Sequence, residues 1–231
     1  GRFTFLDPHV KKIIMKASIQ KEIPLILVVL IPFIYIWVIW DQLPDKVPLH
    51  WNINGEVDRY GDKIELLMIP ILLPLLVYLL FWIIPKIDPK RKIKNMGRKY
   101  DLLKTFMTVF MSALAMVIIY ASKNESFYNP NYILLPIGCL FVVLGNFFKT
   151  IRANYFIGIK TPWTLENETV WKETHKLAGK FWFVGGIIII LSSLLLEKKE
   201  NFTLFLIVTV VITVIPVVYS YFKFRSLNGT K

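Results

Sequence analysis

A chain of 231 residues that is 55% hydrophobic, only 19% charged and has a mean hydropathy of +0.53 is excluded from being an ordinary soluble domain. The formal charge of +12 does not call for nucleic acid, because the placement of Lys and Arg assigns it to a membrane surface. A single cysteine, Cys139, excludes an intrachain disulfide or a cysteine metal cluster, and no cofactor motif is present.

Residues 1–22 form a basic segment in which Val10, Ile13, Ile14 and Ala17 recur at helical spacing between Lys11, Lys12 and Lys16, as in a helix lying at the membrane interface. The start at Gly1 reads as a processed or engineered N-terminus. Six apolar blocks without ionisable side chains follow: Ile23–Trp40, Leu66–Ile84, Thr105–Ala121, Tyr132–Phe148, Phe181–Leu196 and Phe202–Phe222. At about 1.5 Å per residue each block is long enough to cross a hydrocarbon core of about 30 Å. The fifth block is the marginal one and is expected to borrow Leu177–Lys180 or to thin the bilayer. No small-residue cleavage pattern follows the first block, which therefore reads as a retained helix rather than a signal peptide.

The expected fold is all-α, a polytopic bundle with a six-helix transmembrane domain over residues 23–222 and a cytoplasmic tail over 223–231. Its outer loop is 41–65 and its long inner loops are 85–104 and 149–180. With the N-terminus inside, the inner segments hold 22 of the 28 Lys and Arg residues, which sets both termini on the cytoplasmic side of the membrane. Pro24, Pro32, Pro70, Pro74, Pro136 and Pro216 lie within spans and should kink them; Pro70 and Pro74 are candidate hinges. No span contains a charged residue, which disfavours transport by a charged relay. Asn146, Ser112, Ser192 and Ser193 are expected to hydrogen-bond between helices, and Gly138 with Gly185–Gly186 to allow close helix approach.

The outer loop carries six acidic and three basic residues, and a net charge of −3 would attract a cationic peptide. Val47, Leu49 and Trp51 alternate with Pro48 and His50, and Asn54–Gly55 is a turn signal, so a small hairpin-like cap is expected. His50 with Glu56, Asp58 and Asp62 invites a metal or hydrolase reading. Without HExxH or a second outer histidine, packing of His50 and Trp51 at the interface is favoured, with no metal assigned.

The inner loop from Asn154 to Lys180 is punctuated by Gly158 and Pro162. A helix is expected from near Thr164, with Glu166 and Glu168 in its first turn. Val170, Trp171, Thr174, Leu177 and Ala178 would form one face of this cytoplasmic amphipathic helix, against either lipid or a partner protein.

The run Ile157-Gly158-Ile159-Lys160-Thr161-Pro162-Trp163-Thr164-Leu165, followed by Glu168-Thr169-Val170-Trp171, resembles the SdpI family of bacterial immunity proteins. The likeness extends to Leu43–Pro44, Trp51, the six-span layout and Leu227-Asn228-Gly229. The outer loop also resembles a widespread small domain of unassigned function, marked by Pro48-x-His50-Trp51, Gly55, Asp58 and Lys63. The resemblance implies protection against a secreted killing peptide and no enzymatic activity. In the best-known members it also implies signalling through capture of a cytoplasmic ArsR-type repressor. Carried over, Pro48, His50, Trp51, Asn52, Gly55, Asp58 and Lys63 would sense toxin. Asn154, Gly158, Lys160, Thr161, Pro162, Trp163, Thr164, Leu165 and Trp171 would bind the repressor. The chain departs from the family pattern in its basic N-terminal extension and in Lys160, where Arg is common. A neutral solute or peptide transporter, and a membrane enzyme using His50 with Asp58, are the competing readings.

Overall fold

Each apolar block is a helix in the computed structural model, which describes residues 8–52, 54, 56–124 and 131–228, with side chains from residue 20 onward except Tyr132. Helix α1 is Pro8–Ile39, α2 Lys63–Ile87, α3 Arg98–Lys123, α4 Asn131–Phe148, α5 Pro162–Glu166, α6 Glu168–Leu195 and α7 Lys198–Asn228. Strands β1 (Lys46–Trp51) and β2 (Val57–Asp62) pair antiparallel between α1 and α2. Among the described residues, five helices are long and apolar enough to cross a membrane, and Ile133–Phe148 is a shorter apolar helix. Large apolar side chains such as Trp37 and Leu195 are exposed around the bundle, where only lipid is a compatible solvent. The chain is a multi-pass membrane protein.

One length follows the expected borrowing of Leu177–Lys180, and another departs from expectation. The fifth apolar block belongs to a 28-residue helix that starts at Glu168, and the shortest membrane helix is α4, with 18 residues. The basic N-terminal segment is continuous with the first span in one 32-residue helix, about 48 Å long at 1.5 Å per residue. In α2, Pro74 lies inside a π-turn, Ile71–Leu75, that follows a 3₁₀ turn at Lys63–Leu67. Proline supplies no N–H for the regular ladder, so the helix widens there.

The helices pack as two trios. In the first, Leu25, Val29 and Tyr78 form one buried cluster of α1 and α2; Ile36, Ile39, Val47, Leu66 and Ile119 form another under the hairpin. In the second, Leu134, Phe141, Ile189, Val208 and Ile212 bring α4, α6 and α7 together. Helices α4 and α6 approach at two glycine pairs. A methyl on Gly186 would lie 2.6 Å from the Gly138 carbonyl oxygen, and one on Gly145 would lie 2.8 Å from that of Gly179. Seven-residue spacing on both antiparallel helices puts the two contacts on one seam. Gly138 and Gly186 had been expected there; Gly145 and Gly179 complete the pattern.

Polar residues close one end of the second trio. Asn201 of α7, fully buried, accepts from Ser192 Oγ (2.7 Å) and donates to Asn131 Oδ1 (2.8 Å) and Ser193 Oγ (3.2 Å). Ser112 donates to the Val28 carbonyl at 3.1 Å, joining α3 to α1. These bonds carry the interhelical role expected of the serines. Asn146 does not share it: its side chain lies on the exposed face of α4.

Candidate functional site

The alternating helices separate two structured regions: the hairpin packs on the ends of α1, α2 and α3 near Ile39, Leu66 and Ile119, and residues 150–175 pack near Ile93, Tyr100 and Phe148. Among the buried clusters of the described residues, the one containing Ile93, Met96, Tyr100, Phe148, Ile151 and Trp171 draws on both trios.

The inner segment is a clasp whose sequence is legible bond by bond. Asn154, buried, accepts the N–H groups of Phe156 (2.8 Å) and Ile157 (2.7 Å) and donates to the carbonyls of Arg152 and Ile157. This Asx turn replaces the backbone partners that an irregular segment lacks. Gly158 follows at φ +115°, a conformation that disfavours any side chain, and an added Cβ would collide with His175 and Trp171. The next N–H, of Ile159, donates to His175 Nε2 at 2.9 Å. That bond fixes the imidazole as neutral with its proton on Nδ1, which donates to the Trp171 carbonyl at 2.8 Å. The His175 ring stacks on Trp171 with centroids 4.1 Å apart. Trp171 in turn donates from Nε1 to the Ile151 carbonyl at 2.9 Å.

Thr161 caps α5, with Pro162 at the first helical position. Its N–H donates to Thr164 Oγ1 (2.9 Å), its Oγ1 accepts the Thr164 N–H (3.2 Å), and the same hydroxyl meets Ser220 of α7 at 3.0 Å. Trp163 lies edge-on against Tyr221, so α5 is fastened to the end of α7. Asn167 then caps α6 by accepting from Thr169 and Val170. Glu168 lies in the first turn of α6 as expected, whereas Glu166 is the last residue of α5. There is no detached amphipathic helix: the predicted face of Val170, Trp171, Thr174 and Ala178 is buried against protein at the start of α6, and Leu177 is half-buried.

The structure thus divides the inner candidates. Asn154, Thr161, Thr164 and Trp171 are buried, and Gly158 and Trp163 are partly so. Lys160, Pro162 and Leu165 are exposed, with Tyr155 beside them.

The hairpin is assembled differently. Val47 and Leu43 are buried over the helix ends and Leu49 is half-buried. Gly61 lets β2 lie against Leu49 and the Glu65 carboxylate, which accepts the Asp62 N–H at 3.0 Å. Its charges pair at the surface, Lys46 with Asp62 (2.8 Å), Arg59 with Glu65 (2.8 Å) and Lys63 with Asp45 (3.6 Å), and His50 Nδ1 lies 2.5 Å from the Asp58 carboxylate. The bond to Asp62 raises the pKa of Lys46 above its ordinary value. Asn52 closes the turn by accepting from Asn54 and Glu56, and Lys198 of α7 donates to the Asn54 carbonyl at 3.0 Å. Pro48 is buried, Trp51 half-buried and His50 exposed. Gly55 lies outside the described residues. Among the described residues no three His, Cys, Asp or Glu side chains converge as metal ligands.

Sequence reasoning missed two sets of residues. His175 was given no role by the sequence, although its spacing from Trp171 and Ala178 places it beside the buried face. Glu22 and Lys104 bound the first and third apolar blocks, yet they form a 2.6 Å ion pair with side chains only 19% and 10% exposed. Tyr78 of α2 donates to the same carboxylate at 3.1 Å, so three helices meet at one charge pair.

Six apolar helices with a polar hairpin at one end and a hydrogen-bonded clasp at the other define a membrane-embedded bundle with structured elements on opposite faces. Residues 150–220, the clasp with α6 and most of α7, match the SdpI/YfhL protein family, and residues 27–73 match a domain of unknown function, DUF1648. The chain is 28% identical over 213 residues to the immunity protein SdpI of Bacillus subtilis (strain 168), covering 92% of this chain and 100% of that protein. The chain is thus similar to the SdpI family along nearly its whole length, as the inner motif implied. No solved structure matches it.

Proposed function

We propose that this chain is a membrane immunity protein that protects the cell carrying it against a secreted killing peptide. The observation that carries the reading is the alignment with SdpI along nearly the whole of both chains. The charge asymmetry supports both termini being cytoplasmic, with the hairpin outside and the clasp inside. On that orientation the acidic hairpin is the toxin-facing element, with Pro48, His50, Trp51, Asn52, Gly55, Asp58 and Lys63 as the residues assigned to sensing. Exposed Lys160, Pro162 and Leu165 form the candidate dock for an ArsR-type repressor. Trp163, Trp171, Asn154, Gly158, Thr161 and Thr164 hold that dock in shape.

Toxin bound to one arrangement of the helices shifts the population toward it only to the extent that it binds that arrangement better. The π-turn at Ile71–Leu75 lies on α2 between the hairpin and the joint at Phe81 and Ile84, so bending there moves one end relative to the other. Expression in a sensitive bacterium tests the central reading: survival against a related toxin should rise. Unchanged survival with normal membrane abundance contradicts it. Lys160→Glu should preserve survival while abolishing recruitment of a tagged repressor to the membrane; retained recruitment removes the proposed dock.

A further inference from the structure

We infer that the cleft between the α2–α3 and α4–α5 connections is a binding site for a phosphate-bearing anion. The cleft has a volume of about 620 Å³ and is lined by six basic side chains and one carboxylate. Lys90, Lys92 and Lys99 come from the first trio's side, and Lys149, Arg152 and Lys172 from the second. The carboxylate, Glu168, is taken by Lys92 at 2.6 Å, and Lys90 rests on the Tyr155 hydroxyl at 3.0 Å. No carboxylate among the described residues lies within ion-pairing distance of Lys99, Lys149, Arg152 or Lys172.

Lys and Arg on an inner membrane face are ordinary, so charge alone would not distinguish a site. The concavity does. Its floor is Phe148, Trp171 and His175, immobilised by the clasp, while its cations converge from connections belonging to different trios. An anion here would relieve repulsion among cations that the protein itself leaves uncompensated. Arg152 supplies the planar fork that binds two phosphate oxygens, and the lysines supply point charges around it. The site lies where α2 and α4 end and α3 begins, the level of lipid headgroups for a span of this length. The shared chemistry is therefore a phosphate monoester or diester, whether on an anionic lipid or free in solution. The inference stands apart from the immunity reading, because binding is measured without toxin.

The test uses the purified full chain in neutral phosphatidylcholine nanodiscs, with retained phosphatidylglycerol counted by native mass spectrometry. Arg152→Gln with Lys172→Gln should lower retention roughly tenfold, as expected when two cations near a phosphate are removed. Lys99→Gln with Lys149→Gln provides an independent second pair and should do the same. Lys223→Gln with Arg225→Gln removes as many charges from the same end outside the cleft and should leave retention within about twofold. Loss confined to the cleft pairs and unaffected by millimolar inorganic phosphate assigns a lipid headgroup; displacement of the lipid by inorganic phosphate assigns the free anion. Equal losses in all three double variants, or none in the cleft pairs, overturn the site.

Discussion

The hairpin at one end carries three ion pairs and the His50–Asp58 contact, each with at least one well-exposed member, whereas the clasp at the other is held by hydrogen bonds to the buried side chains of Asn154, Thr161, Thr164 and His175. Surface ion pairs each contribute little, because water already solvates both charges. A buried donor or acceptor that loses its partner forfeits the whole bond without regaining water. The hairpin should therefore tolerate replacement of single side chains. The clasp should fail as a unit.

That contrast is broken or sharpened by substitution. The largest effect is expected from Gly158→Ala, which places a Cβ in a left-handed backbone position against His175 and Trp171. A loss of about 3 kcal/mol or more is expected in denaturant unfolding of the purified protein in mixed micelles. A melt like that of the unmodified chain would remove the clasp's claim to rigidity. Lys104→Ala should follow, at roughly 3 kcal/mol, since it strands the Glu22 carboxylate among three helices. Next comes Gly186→Val, which forces α6 away from Gly138 on α4 and should weaken the second trio by about 2 kcal/mol. The same unfolding assay measures both. Lys46→Ala, at the exposed pair with Asp62, should change stability by no more than about 0.5 kcal/mol. A cost comparable to Lys104→Ala would erase the distinction between the two ends.

The spans were legible because lipid imposes one rule on every residue of a crossing helix, and Ile23–Trp40 or Phe202–Phe222 obey it without exception. The hairpin was legible from the alternation of Val47, Leu49 and Trp51, since the pairing of β1 with β2 is local. Glu22–Lys104 was not, because a pair 82 residues apart leaves no mark in either neighbourhood. His175 was hidden differently: Lys172 and Lys176 beside it gave the segment the composition of a solvated loop, and only the later course of α6 shows which face is buried. Gly145 and Gly179 did carry a signal, in their seven-residue spacing from Gly138 and Gly186.

The separation of hairpin and clasp by the bilayer is tested most directly by cysteine accessibility. With Cys139 replaced by Ser, a single cysteine is placed at Asn54 or at Lys160, both exposed positions. A membrane-impermeant maleimide should label Asn54→Cys in intact cells and Lys160→Cys only after permeabilisation. Labelling of both in intact cells would put the two regions in one compartment and contradict the account.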